Sequence, residues 1–384
     1  MSYDFDTVVA RRGSGSLKWD LCEEGMLPMW VADMDFPAPP EVINALRQRA
    51  GHGIYGYTPV PDSYYAACQG WMQKRHGWDI RREWIVPTPG VLPAISLAVQ
   101  AYTRPGDKII IQPPVYHPFR KIIRDNGRQL VENPLKLKGN RYEMDCEHLK
   151  NLFDERTRVL ILCSPHNPVG RVWSREELQG LVSLCINDDI LIIADEIHAD
   201  LIMAGHGHTP AALVSNEAAR HVITCTAASK TFNLAGLSCS NLIIEDNRLR
   251  NIYTTLLNSM WIGWPNVFGL AATEAAYTSG EPWLEALLAY LKANYDFLAT
   301  CLPRSLPGIQ VFPLEGTYLA WLDFRSLGMS DDELNERILK KAGVWLDQGS
   351  MFGTGGAGFQ RINIACPRQV LQEGLKRIVD AFIM

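Results

Sequence analysis

Residues 158–168, RVLILCSPHNP, and 189–198, DILIIADEIH, each run through several consecutive apolar residues to a polar, turn-prone end. A half-exposed strand alternates apolar and polar positions. An unbroken apolar run instead describes a strand covered on both faces, the condition of a parallel sheet flanked by helices. The pattern recurs on either side, in KIIIQPP at 108–114, HVITCTAASK at 221–230 and SNLIIED at 240–246. Helical patterns lie between these runs. In SREELQGLVSLCIN, Ser174 and Glu177 have the spacing of a capping box. LPAISLAVQAYT opens a helix just after Gly90. Strands alternating with helices predict an α/β domain over residues 46–284.

Beyond it the character changes. EPWLEALLAYLKANYDFLATCL reads as one long helix, GIQVFPLEGTYLAWLDF alternates like antiparallel strands, and SDDELNERILKKA is helical again. Residues 285–384, joined by the N-terminal arm 1–45, are expected to form a smaller α+β domain, as 384 residues exceed what one small core requires.

Composition narrows the function classes. A net charge of −5 leaves no basic footprint for nucleic acid. The nine cysteines are scattered without a C-x-x-C pair, which fits reduced, buried thiols and neither a disulfide framework nor a metal site. The first twenty residues are too polar for a signal-peptide core, and no apolar run reaches membrane-spanning length. The expectation is a cytoplasmic protein acting on small molecules.

In an open parallel sheet, ligands bind outside the carboxyl ends of the strands. Those ends carry Tyr116, Asn167, Asp195, His198 and Lys230. Each alone has an ordinary explanation: a core tyrosine, a turn asparagine, a capping aspartate, a packed histidine, a solvated lysine. Their agreement on one edge predicts a site.

In order along the chain, YGYTP, PTPGVLPAI, QPPVYHPF, SPHNPVGRVW, IIADEIHADL, ASKTFNLAG and GFQRIN resemble the aspartate-aminotransferase superfamily of fold type I enzymes, over essentially the whole length. The resemblance implies pyridoxal 5′-phosphate (PLP) as cofactor, a PLP-binding large domain with a mostly parallel sheet, a mobile small domain, and active sites shared across a homodimer. It implies that Lys230 holds PLP as a Schiff base and moves the substrate α-proton, and that Asp195 keeps the pyridine nitrogen protonated. Asn167 and His198 correspond to donors toward the phenolic oxygen, with His198 where many relatives have tyrosine. Tyr116 corresponds to the aromatic residue stacked on the ring. Gly90, Val91 and Leu92 would hold the phosphate at a helix N-terminus, with Ser229, and with Tyr57 of the neighbouring subunit. Arg361 matches the bidentate clamp of the substrate α-carboxylate. Ser238 stands where many relatives carry a phosphate-neutralising cation.

MLPMWVADMDFPAPPEV, GIYGYTP, DEIHADL and SKTFNLAGL bring the chain nearest the MalY/PatB group of cystathionine β-lyases, or C–S lyases. In that likeness Trp30, Val31 and Asp33 line the substrate entrance. The implied reaction is α,β-elimination of L-cystathionine to L-homocysteine, pyruvate and ammonia. A broad-specificity aminotransferase is the alternative, since it shares the first steps. A PLP-binding regulatory protein is a third reading, and a regulatory protein partner stays open.

Overall fold

The computed structural model describes residues 3–383. Its centre is a seven-stranded sheet built from β1 (Ile85–Thr88), β2 (Lys108–Ile111), β3 (Gln129–Glu132), β4 (Thr157–Cys163), β5 (Leu191–Asp195), β6 (Val222–Thr226) and β7 (Ser240–Ile243). The order is β1-β7-β6-β5-β4-β2-β3. Every pair from β6 to β3 is parallel, while β7 runs antiparallel to both neighbours. β5 and β6 are buried along nearly their whole length, as unbroken apolar runs require. The chain thus folds as a layered α/β structure, with a mostly parallel sheet between helices.

Helices fall where the local signals place them. α1 (Val91–Tyr102) starts at Gly90, and α2 (Arg175–Asn187) begins with both halves of the Ser174–Glu177 capping box. α3 (Glu281–Ser305) is a single 25-residue helix. It leads to a four-stranded antiparallel sheet of β8 (Gln310–Val311), β9 (Leu319–Asp323), β10 (Asp347–Gln348) and β11 (Phe359–Asn363), ordered β8-β9-β11-β10. The N-terminal arm docks on this part of the molecule: Leu27 and Pro28 pair in parallel with Val344 and Trp345. Asn363 donates to the Val31 and Asp33 carbonyls at 2.7 Å each.

A buried arginine ties the two sheets together. Arg171, just beyond β4, donates through Nε to Glu315 at 2.8 Å and through Nη2 to Glu177 at 2.7 Å, while Nη1 reaches the Tyr142 carbonyl. Glu315 also accepts the Val172 amide at 2.9 Å. Removing one member of a buried ion pair leaves the other charge without compensation. Arg171→Leu is therefore expected to lower unfolding stability by on the order of 3 kcal/mol, read as a shift of the urea midpoint at unchanged slope.

Candidate active site

β1, β2, β4, β5 and β6 all point their carboxyl ends to one edge of the large sheet, and the loops leaving them enclose a cavity of ≈ 230 Å³. Its walls include Gly90, Val91, Leu92, Tyr116, Asn167, Asp195, His198, Ser229 and Lys230. Nine of the residues singled out in the sequence therefore meet in one place. Ser238 lines the same cavity. At one end lies the start of α1. Gly90 adopts φ 145° and ψ 157°, a conformation that side-chain-bearing residues rarely take, and no side chain caps the helix. Unspent backbone N–H groups at a helix N-terminus form a site for an anion.

Asp195 occupies the opposite chemical role. Its carboxyl group is buried and accepts one bond, from the Ile197 amide at 3.2 Å. Burial pushes its pKa up to about 7, with Lys230 pulling it down. Among the described residues no cation lies in hydrogen-bond contact with it, so a cationic N–H of a ligand would be strongly favoured there. Burial, with Arg361 second, drives the Lys230 amine down to about 8, against the opposing pull of Asp33 and Asp195. A lysine so depressed is partly neutral, and nucleophilic, near neutral pH. His198 is buried with Nδ1 unpartnered, and desolvation followed by Lys230 and Arg361 takes it to about 3. It is therefore a neutral imidazole. Burial and then Asp195 raise Tyr116 to about 12. An amine, a buried carboxylate, an unsatisfied imidazole nitrogen and an anion-binding helix terminus around one apolar cavity fit PLP, which presents a carbonyl, a pyridine nitrogen, a phenolic oxygen and a phosphate.

Arg361 does not line that cavity but touches it through Asn167. It sits on β11, buried, and donates from Nη1 to Asn167 Oδ1 at 2.9 Å. Its Nη2 reaches the Trp30 carbonyl at 2.9 Å and the Asp347 carboxylate. The Phe352 ring lies 4.9 Å from its guanidinium carbon. Trp30, Val31 and Asp33 belong to a strap held chiefly by its backbone. Lys230 Nζ and the Tyr318 hydroxyl donate to the Ala32 carbonyl at 2.7 and 2.9 Å. The Trp30 ring stacks on Trp345 at 4.7 Å, and the Asp33 carboxylate pairs with Arg11 at 2.7 Å. Tyr57 stands apart from the cavity, 97% exposed, with its ring 6.2 Å from that of Trp264.

Sequence reading missed the Ala32 carbonyl, Tyr318, Asp347 and Phe352. A backbone carbonyl leaves no side-chain signal. Asp347 lies in an unremarkable stretch, VWLDQG, and only the β10–β11 register sets it opposite Arg361.

The family model for aminotransferase class I and II matches residues 25–378. Cystathionine beta-lyase PatB of Bacillus subtilis is 45% identical, over 98% of this chain and 99% of its own. The crystal structure of cystalysin from Treponema denticola, which contains a pyridoxal 5′-phosphate cofactor, superposes with a TM-score of 0.97 at 39% identity, covering 100% of this chain and 99% of that one. The PLP-bound C-S lyase from Staphylococcus hominis superposes at 0.93 with 34% identity, covering 100% and 99%. With the family model matching residues 25–378 and a relative 45% identical from end to end, the chain belongs to the class I and II aminotransferase family.

Proposed function

We propose that this chain is a PLP-dependent carbon–sulfur lyase that cleaves L-cystathionine by α,β-elimination to L-homocysteine, pyruvate and ammonia. One observation carries the reading: Lys230, Asp195 and the uncapped start of α1 share one cavity, in a chain 45% identical end to end to a cystathionine β-lyase. Bound PLP supplies an electron sink for the negative charge left at the substrate α-carbon.

This chain's residues do the rest. Lys230 holds the cofactor and then takes the α-proton, a task suited to an amine near pKa 8. Asp195 holds a proton on the pyridine nitrogen. Asn167 has Oδ1 committed to Arg361, which leaves its amide N–H for the phenolic oxygen. Neutral His198 adds a second donor there. Gly90, Val91, Leu92 and Ser229 take the phosphate, and Tyr116 covers the ring. Arg361 orients the substrate by its carboxylate, while Trp30, Val31 and Asp33 shape the entrance. Thiolate departs from Cβ without a second substrate, which separates this branch from transamination.

The larger domain of this reading spans 46–284, with 1–45 and 285–384 forming the smaller one. The assembly is a homodimer. A patch of exposed apolar residues at Ile54, Tyr55, Tyr57, Trp261 and Trp264 supports it, and in this reading Tyr57 serves the partner's phosphate site. No helix among the described residues is long and apolar enough to cross a membrane, and all nine cysteines are free thiols; both suit a cytoplasmic enzyme.

Purified protein incubated with PLP and cystathionine should release homocysteine thiol and pyruvate in equal amounts with no keto acid added. Rapid conversion of ordinary amino acids only when a keto acid is present would replace this reading with the aminotransferase. Borohydride reduction followed by peptide mass spectrometry should place the pyridoxyl group on Lys230. Mixing inactive Lys230→Ala with Tyr57→Ala subunits should restore activity through hybrid dimers carrying one intact site; no recovery argues against sharing. Capture of PLP by cofactor-free protein needs neutral Lys230 and ionised Asp195. Its rate should therefore climb by about a hundredfold per pH unit below about 7, by about tenfold between 7 and 8, and flatten above about 8. A rise continuing to pH 10 would mark an ordinary solvated lysine.

A further inference from the structure

A guanidinium carries five N–H donors, and the structure commits three of those on Arg361. Nη1 donates to Asn167, and Nη2 donates both to the Trp30 carbonyl and to Asp347. Nε is buried without a partner. A carboxylate is clamped by two parallel N–H bonds along one edge of the guanidinium. The edges available are Nε with Nη2 and Nη1 with Nη2. Nη2 belongs to both, and both of its hydrogens are taken. No second carboxylate can be clamped until one acceptor leaves Nη2.

The two acceptors are not equally free to leave. The Trp30 carbonyl is part of the strap, whose neighbouring carbonyls are fixed by Lys230, Tyr318 and Asn363 and whose Trp30 ring is stacked on Trp345. The Asp347 side chain has no hydrogen-bond partner other than Arg361 among the described residues. It faces Arg361 directly across the β10–β11 ladder, and both side chains are buried. An arriving anion repels it. When two carboxylates compete for one cation in a buried place, one of them tends to keep a proton.

We propose that Asp347 is the resting counter-ion of Arg361. The α-carboxylate of the substrate displaces it, and Asp347 takes up one proton from solvent as it loses the arginine. This rests on the reading of Arg361 as the carboxylate clamp. Asp347 is a positioning residue: it keeps the buried arginine paired and in plane before substrate arrives. It also sets a threshold, because an amine lacking the carboxylate has nothing with which to open the pair. Burial already pushes the Asp347 carboxyl above its ordinary range, against the pull of Arg361, which eases the uptake. Carboxylate binding should accordingly strengthen as pH falls. Lys230, His117, His198, Tyr116 and Tyr318 also feel the Arg361 charge. Of these, Lys230 titrates near neutrality, and its nitrogen still binds a proton when PLP is held there, so the Asp347 share is the difference between the wild type and a variant without that carboxylate.

The test uses PLP-loaded protein and propionate, a carboxylate with no amino group to react. Titration calorimetry in buffers of different ionisation heat counts the protons exchanged. Wild-type protein should take up close to one proton more per propionate than Asp347→Asn at pH 7.5, and bind more tightly at pH 6.5. Asp347→Asn should bind about tenfold tighter at pH 7.5; Asp347→Ser serves if the asparagine variant does not fold. Equal uptake by wild type and variant, or no tightening in either variant, overturns the proposal. Arg361→Ala separates the two levels. Unchanged propionate binding in that variant removes the clamp reading itself, whereas lost binding alongside an inert Asp347 removes only the counter-ion.

Discussion

Lys230 and Arg361 put two cationic groups into one poorly solvated region, where each lowers the comfort of the other. Burial and Arg361 together depress the Lys230 amine, while Asp195 and Asp33 restrain the shift. Arg361 in turn is held against Asp347. Charges withdrawn from water are tolerable only when paired or neutralised, and the site uses both solutions. The lysine yields its proton readily; the arginine, which does not, keeps a carboxylate. The difference in how each cation is compensated fits each to its proposed task, because a nucleophile must be neutral and a carboxylate clamp must stay charged.

The strap from Trp30 to Phe36 follows from the same constraint. Its contribution is largely backbone carbonyls: Trp30 to Arg361, Ala32 to Lys230 and Tyr318, Val31 and Asp33 to Asn363, and Met34 and Phe36 to Asn233. Carbonyl oxygens satisfy buried donors without adding a further charge. The strap is itself pinned from outside, where Arg11 and Lys18 hold Asp35 at 2.6 and 2.7 Å. A segment distant in sequence from both the lysine and the arginine thereby joins the large sheet to the small one at the site.

The end of the cavity proposed to hold the phosphate is organised differently. α1 offers N–H groups behind a glycine at φ 145°, which side-chain-bearing residues rarely adopt, and hydroxyl side chains line the same cavity. Ser238, at φ 48°, lines the same cavity. Among the cavity-lining residues Lys230 is the one cation. In the proposed reading, backbone dipoles therefore carry a large share of anion recognition, a contribution that does not titrate.

Local pattern alone determined much of this. Consecutive apolar runs announce covered strands, the Ser174–Glu177 pair announces a helix start, and residues at strand ends point to one edge, because in a parallel sheet those ends must share a side. Lys230, Asp195, Asn167, His198, Tyr116 and the Gly90 turn were legible for that reason. Arg361 was legible only through its motif, since nothing in β11 itself says what it faces. What tertiary structure alone decided is how these groups are compensated. Whether Asp347 meets Arg361 depends on the register of two short strands, and whether the Ala32 carbonyl meets Lys230 depends on the path of an arm 198 residues away in sequence. Pairing of buried charges is set by which surfaces close on each other, and that information resides in no single stretch of the chain.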